Sequence, residues 1–194
     1  MVKETSGPDL PLVERALVGD LVAFEELVEL YRRDVHRVAA RIVGPDEADD
    51  VTQDAFLRAF NKLDTFRGES FRAWLLRIAH NRALNVVARR TPEPVDPVEQ
   101  QGRQEDEAPR RQDPARSLED SERRARLASK LEQLRPAHRS VLVLRDLEGF
   151  SYEEIAEITD SPLGSVKGRL HRAREELIEI LRRNTYDWEL PSEH

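Results

Sequence analysis

The chain has 194 residues, 36% of them charged and 6% aromatic, with no cysteine. That length holds one medium domain or two small ones, and the heavy charge suits small solvated helical domains; the lack of cysteine excludes a disulfide framework, thiolate catalysis and cysteine-ligated metal. No run of 18 apolar residues occurs and the start, MVKETSGPDL, lacks the apolar core of a signal peptide, so no membrane insertion is expected and the expected location is cytoplasmic.

The net charge of −7 is unevenly spread: residues 1–90 carry 14 Lys+Arg against 15 Asp+Glu, residues 91–120 carry 4 against 9, and residues 121–194 carry 13 against 14. The acidity sits mainly in the middle, so any contact with phosphate must come from local patches in the flanking pieces. The first dozen residues, with Gly7, Pro8 and Pro11, read as a tail or loose first turn. From Leu12 to Val43, Leu21, Phe24, Leu27, Leu30, Tyr31, Val35, Val38 and Ile42 recur at helical spacing, and Gly44 with Pro45 ends the run. A second helix is expected over Asp46–Leu63. Its acidic first turn (Asp46, Glu47, Asp49, Asp50) suits the positive end of the helix dipole, and Val51, Ala55, Phe56, Ala59, Phe60 and Leu63 form its expected buried side.

After the loop DTFRGE a long helix is expected from about Ser70 to Arg90, with Phe71, Trp74, Leu75, Ile78, Ala79, Leu84 and Val87 as apolar members. Six arginines and a single acid, Glu69, fall between Phe66 and Arg90. Phe71, Trp74, His80, Asn81 and Asn85 stand among them, a mixture of stacking faces and cations that single-stranded nucleic acid uses. Trp74, flanked by Leu75 and Ile78, is assigned to the core. Residues 91–120 change character: Pro92, Pro94, Pro97, Pro109 and Pro114 punctuate a stretch with no aromatic residue and many acids. Such a stretch cannot bury enough surface to fold and reads as a flexible acidic linker.

From Ser121 helical patterning resumes. Leu127, Leu131 and Leu134 make one helix stopped near Pro136; Val141, Leu142, Leu144 and Leu147 make the next, ending before Gly149. These supply an apolar floor for the stretch Gly149–Arg183. There, Ile155, Ala156 and Ile158 form the apolar face of a short helix. Asp160 is a residue type that tolerates a left-handed turn, and Ser161 and Pro162 are expected as N-cap and first residue of a second helix. That helix carries an inward stripe of Val166, Leu170, Ala173, Leu177, Ile180 and Leu181. Lys167, Arg169, Arg172 and Arg174 stand between them, with no acid from Ser161 to Arg174. The pattern is a helix-turn-helix whose second helix presents cations at its leading half, as major-groove docking requires. The last residues, NTYDWELPSEH, are expected as a partly docked tail around Tyr186 and Trp188.

Four blocks now carry a resemblance: AFEELVELYRRDVHRVAARIVG, DEADDVTQDAFLRAFNKLDTFRGE, SFRAWLLRIAHNRALNVVARR, and LRPAHRSVLVLRDLEGFSYEEIAEITDSPLGSVKGRLHRAR. In order and spacing the chain resembles a bacterial RNA polymerase sigma factor of the extracytoplasmic-function (ECF) class, built from regions two and four only. The expected fold is all-α: a region-two domain over 12–90, a linker over 91–120, and a helix-turn-helix region-four domain over 121–184.

The resemblance implies roles residue by residue. Asp49, Asp50, Gln53, Asp54, Phe56 and Leu57 are similar to the region that docks on core RNA polymerase. Phe71, Arg77, Asn81, Arg82 and Asn85 fall where the family melts and holds the minus-ten strand, with the loop Phe66–Phe71 as the pocket for an extruded base. Ser165, Lys167, Gly168, Arg169, His171 and Arg172 fall where it reads the minus-thirty-five element of promoter DNA as duplex. Control by an anti-sigma factor is common in the class. Three departures stand out. FRGESFRAW is one residue shorter than the common form, which leaves open which base its pocket takes. Gly168 replaces a common serine, and close approach of backbone to DNA is the expected reason. Asp160 stands where glycine is usual. Two other readings stay open: a decoy that titrates an anti-sigma factor, which would lack the basic residues of both helices, and a plain repressor or activator, which does not account for the amino-terminal basic helix. No enzyme, cofactor or metal site is expected, because His36, His80, His138, His171 and His194 are scattered and no ligand or nucleophile–base spacing appears.

Overall fold

The structure, a computed structural model, describes residues 9–67, 70–90 and 126–183, all helix and connecting turns without a strand. The expected linker, the carboxy-terminal tail and the last two residues of the DTFRGE loop lie outside the described residues. The chain divides into two compact units, one containing Met1–Pro92 and the other most of Glu93–His194.

In the first unit, α1 (Leu10–Leu17) is a helix of its own, where a tail running into one long helix was expected. The break has a local cause. Gly19 takes φ +94°, open to glycine for want of a Cβ, and Asp20 then caps α2 (Leu21–Val43) by accepting the Ala23 N–H at 3.2 Å. That N–H, followed by Arg15, holds the Asp20 carboxyl below its ordinary range. Tyr31 donates a buried hydrogen bond of 2.6 Å to Asp9, anchoring the start of α1 on α2. Gly44, at φ +93°, turns the chain between α2 and α3 (Pro45–Asn61), where Pro45 starts the helix without losing a needed donor. A 3-10 turn (Leu63–Thr65) leads toward α4 (Phe71–Arg90).

Helices α2, α3 and α4 pack on one another around Leu27, Val35, Val38, Ile42, Val51, Ala55, Leu75, Leu76, Ala79 and Ala83, all buried. Phe60, expected inside, is 47% exposed and meets Phe24 edge-on at 5.1 Å. The reason is angular. The buried stripe of α3 is centred on Ala48, Val51, Thr52, Ala55, Phe56 and Ala59, and Phe60 lies about 110° from its centre at 100° per residue. Leu21 and Leu30, in the expected apolar pattern, also reach the surface.

In the second unit, residues 126–131 form α5 and Pro136–Leu142 form α6, which passes into a π-type turn over Val143–Leu147. Glu148 N–H reaches back five residues to the Val143 carbonyl at 3.0 Å. Helix α7 (Tyr152–Thr159) opens with a reciprocal capping box: Glu154 accepts the Ser151 N–H at 2.7 Å and Ser151 Oγ accepts the Glu154 N–H at 3.1 Å. Asp160 turns the chain with φ +51°. Helix α8 (Leu163–Arg183) starts one residue later than expected; the Pro162 carbonyl accepts the Val166 N–H at 3.1 Å, which places Pro162 rather than Ser161 at the cap. The core is Val141, Leu142, Val143, Leu144, Phe150, Ile155, Ile158, Val166, Leu170 and Ala173. Leu177, Ile180 and Leu181 are half-buried, so the stripe of α8 loosens toward its end.

Candidate nucleic-acid interface

On α8 the buried stripe of Val166, Leu170 and Ala173 fixes which side is left for a ligand. Ser165, Lys167, Arg169 and Arg172 are half-buried and His171 is exposed. His171 Nδ1 lies 3.3 Å from Glu175 Oε2 one turn on, and Arg169 Nη1 lies 3.4 Å from the Ser161 hydroxyl. Gly168 is buried, so its backbone has no open face for a duplex. The expectation of close approach there is set aside.

Two residues that sequence reasoning missed stand beside this face. The Arg145 guanidinium lies 4.5 Å from the centre of the Tyr152 ring and Lys167 Nζ lies 5.4 Å from it, both within cation–π range. Arg145 is held by its Nη1, which donates to the Phe150 carbonyl at 2.8 Å. The π-type turn aims it there, and a hydrophobic pattern read at 3.6 residues per turn does not register such a turn. The available signal was Tyr152 itself, an aromatic at the first position of the helix before the basic one.

On α4, Phe71 is 3% exposed, enclosed by Tyr31, Phe66 and Trp74 with ring centres 5.5–5.9 Å away. It seats the start of α4, and the expectation that it faces DNA is corrected. Trp74, assigned to the core, is half-buried and packs edge-on to Phe66 at 5.5 Å. Asn81 and Asn85 are exposed and Arg77 is half-buried; at 100° per residue Trp74, Asn81 and Asn85 share one stripe. Arg82 is drawn to the Asp54 carboxylate, which also takes Arg58 Nε at 2.9 Å. Arg72 pairs with Asp34 at 2.8 Å and Arg90 with Glu47.

On α3, Asp49, Asp50, Gln53 and Leu57 form an outward face; the Asp49 side chain is 86% exposed and Leu57 is 57% exposed. Asp54 borders this face through its pair with Arg82. Phe56 is 8% exposed and belongs to the core side of α3, a correction to the expected contact set. Among the described residues no group of His, Cys, Asp and Glu is placed to hold a metal, and no helix is long and apolar enough to cross a membrane.

Comparison with known proteins decides what this pair of basic helices belongs to. Residues 27–93 match Sigma-70 region 2 and residues 124–177 match Sigma-70 region 4. The chain is 40% identical over 173 residues to the ECF RNA polymerase sigma-E factor of Escherichia coli, covering 86% of this chain and 91% of that protein. The chain belongs to the ECF sigma factors. The sigma-E factor of Haemophilus influenzae is similar at 37% identity, covering 86% of this chain and 92% of its own. Among solved structures, CnrH in complex with the cytosolic domain of CnrY is similar at 29% identity and TM-score 0.67, covering 92% of this chain and 99% of that one. The sigma factor RpoE of Bartonella quintana, in complex with the anti-sigma factor NepR, is similar at 26% identity and TM-score 0.58, covering 85% and 98%. As an ECF sigma factor the chain acts in promoter-directed transcription initiation.

Proposed function

We propose that this ECF sigma factor joins core RNA polymerase through the outward face of α3 and then reads the promoter with two helices. Helix α8 takes the minus-thirty-five element as duplex and α4 holds the melted minus-ten strand. The working domains are residues 12–90 and 121–184, joined by the linker 91–120. The observation that carries the reading is the leading half of α8. Lys167, Arg169 and Arg172 stand on the sides of a helix whose inward stripe is Val166, Leu170 and Ala173; at 100° per residue they lie about 90°, 70° and 130° from its centre, outside the buried face and available to base or phosphate contacts. Arg145 and Tyr152, beside Lys167, add a phosphate contact that positions the helix without specifying sequence.

On α4 the exposed amides Asn81 and Asn85, the half-buried Trp74 edge and Arg77 suit an unstacked strand; Arg82 joins them when it leaves Asp54. Asp49, Asp50, Gln53 and Leu57 offer polymerase a mixed acidic and apolar surface, with Asp54 at its border. Control by an anti-sigma partner is part of the reading, supported by the two solved relatives, one described with an anti-sigma factor and the other with a cytosolic domain of a partner.

The test is transcription on genomic fragments. Core polymerase with this protein should yield run-off transcripts whose start sites share two spaced upstream elements, and core polymerase alone should not. Should the added protein redirect no initiation, the reading is wrong.

A further inference from the structure

We propose that Glu176 and the Asp146–Arg174 pair set the rotation of α8 about its own axis and so decide which base edges Lys167, Arg169 and Arg172 meet. They are positioning residues for promoter discrimination, an inference that rests on α8 being the duplex reader.

The need for such a device follows from the packing. Helix α8 rests on its neighbours through Val166, Leu170 and Ala173, with only the half-buried Leu177, Ile180 and Leu181 beyond. Apolar contact is non-directional, so one narrow stripe resists rolling weakly. The side-chain surface of a helix lies about 6 Å from its axis, and a roll of about 20° moves it by about 2 Å. That is several times the width, about 0.5 Å, of the 2.7–3.2 Å range within which a hydrogen bond to a base edge is made. Rotational error of this size would change which bases are read.

Two polar links flank the stripe on opposite sides. Taking 100° per residue, Arg174 lies about 70° to one side of the stripe centre and Glu176 about 90° to the other. Arg174 grips Asp146 with two bonds, Nη2 to Oδ1 at 2.8 Å and Nε to Oδ2 at 3.2 Å. The forked geometry fixes orientation as well as distance. Glu176 accepts the Arg135 backbone N–H at 3.1 Å and Arg135 Nε at 3.3 Å, and its Oε2 also pairs with His138 Nδ1. His138 is fully buried, so its end of the link does not swing. The Glu176 carboxyl is held below its ordinary range: burial raises it, and the Arg135 N–H and His138 outweigh that. Neither acid touches the face offered to DNA. Glu176 ties α8 to the start of α6, and Asp146 ties it to the π-type turn that follows.

The experiment uses holoenzyme assembled from core polymerase and full-length protein, presented with promoter duplexes randomised through the upstream element. Retained DNA is sequenced, and salt dependence and thermal midpoint are measured for each protein. Glu176→Ala and Arg174→Asp are expected to flatten base preference at several upstream positions together, lowering the ratio of best to average sequence about tenfold while the salt slope stays that of the parent. Arg174→Asp combined with Asp146→Arg restores a reversed pair and is expected to recover preference. Glu176→Gln, which keeps the acceptor for the Arg135 N–H, should fall between parent and alanine and serves if the alanine variant does not fold. A lowered midpoint with preferences unchanged would make these residues merely structural and overturn the inference, as would a uniform loss across all sequences. A parent holoenzyme without any upstream preference would overturn the reading of α8 as well.

Discussion

Helices α4 and α8 are both basic, yet their cations begin from different states. On α4, Arg72, Arg82 and Arg90 are engaged by Asp34, Asp54 and Glu47, acids carried by the helices against which α4 packs. On the leading half of α8, Lys167 lies over the Tyr152 ring and Arg169 reaches the Ser161 hydroxyl. A carboxylate must be displaced before Arg82 can take a phosphate, whereas the Tyr152 ring face can stay while Lys167 turns to DNA. Asp54 itself borders the face of α3 proposed for polymerase, so the acid that holds Arg82 is within reach of the partner expected to precede DNA. The difference teaches that a basic helix is not the same as an available one.

Breaking α8 should have the largest effect. Arg169→Ala and Arg172→Ala are each expected to weaken promoter-specific binding by holoenzyme by about 1–3 kcal/mol where the residue meets a base edge. Loss confined to particular upstream bases marks base readout, and a uniform loss with a shallower salt slope marks phosphate contact; quantitative footprinting on single-base promoter variants separates them. A smaller effect of opposite sign should come from α4. Asp54→Asn releases Arg82, so the protein without polymerase should bind single-stranded DNA several-fold more tightly at low salt, by fluorescence anisotropy. Asp50→Asn changes net charge equally and should raise it much less. Equal gains from the two would mean that the pair does not mask Arg82.

The smallest effects are those of pH, and they separate the two units. Glu176 has a lowered folded value, so its contribution is present above the unfolded carboxylate value near 4.3 and is lost as pH falls through the folded value. Tyr31 has a raised one, caused by burial first and by its bond to Asp9 second. Its contribution is present below the ordinary value near 10 and is lost as pH rises through the folded value. Thermal melts followed by helical circular dichroism should therefore show an acid slope reduced in Glu176→Gln and an alkaline slope reduced in Tyr31→Phe. Neither change should alter the other slope.

Much of this was legible in the chain itself. The spacing of Val35, Val38 and Ile42, or of Val166, Leu170 and Ala173, dictates a helix and its inward side, because one face of each must leave water. Asp160 took the left-handed turn that its type permits. What escaped lies at the edges of those stripes. Phe56 and Phe60 are one turn apart, yet the first is buried and the second exposed; periodicity places a residue on a flank, and only the neighbouring helix decides whether the flank is covered. Phe71 carries the chemistry of a stacking residue but sits among three rings, and nothing local in the sequence shows that company. The Gly19–Asp20 break was written in ordinary turn and cap chemistry and was overrun by a continuous apolar pattern. The Asp54–Arg82 pair joins residues on two helices, which no local pattern reports.

That pair also bears on how contacts at α4 are counted. Neutralising phosphates normally releases condensed ions, and the salt slope is read as the number of contacts, about 0.7 per phosphate for single strands and 0.9 for duplex. An arginine that leaves a carboxylate for a phosphate hands its former partner back to the solvent, and the exposed acid gathers cations of its own. The release at one end is partly cancelled by uptake at the other. Contacts made by Arg82 will thus be under-represented in any titration against salt, and a tally of strand contacts built on that slope will come out short of the arginines that touch the strand.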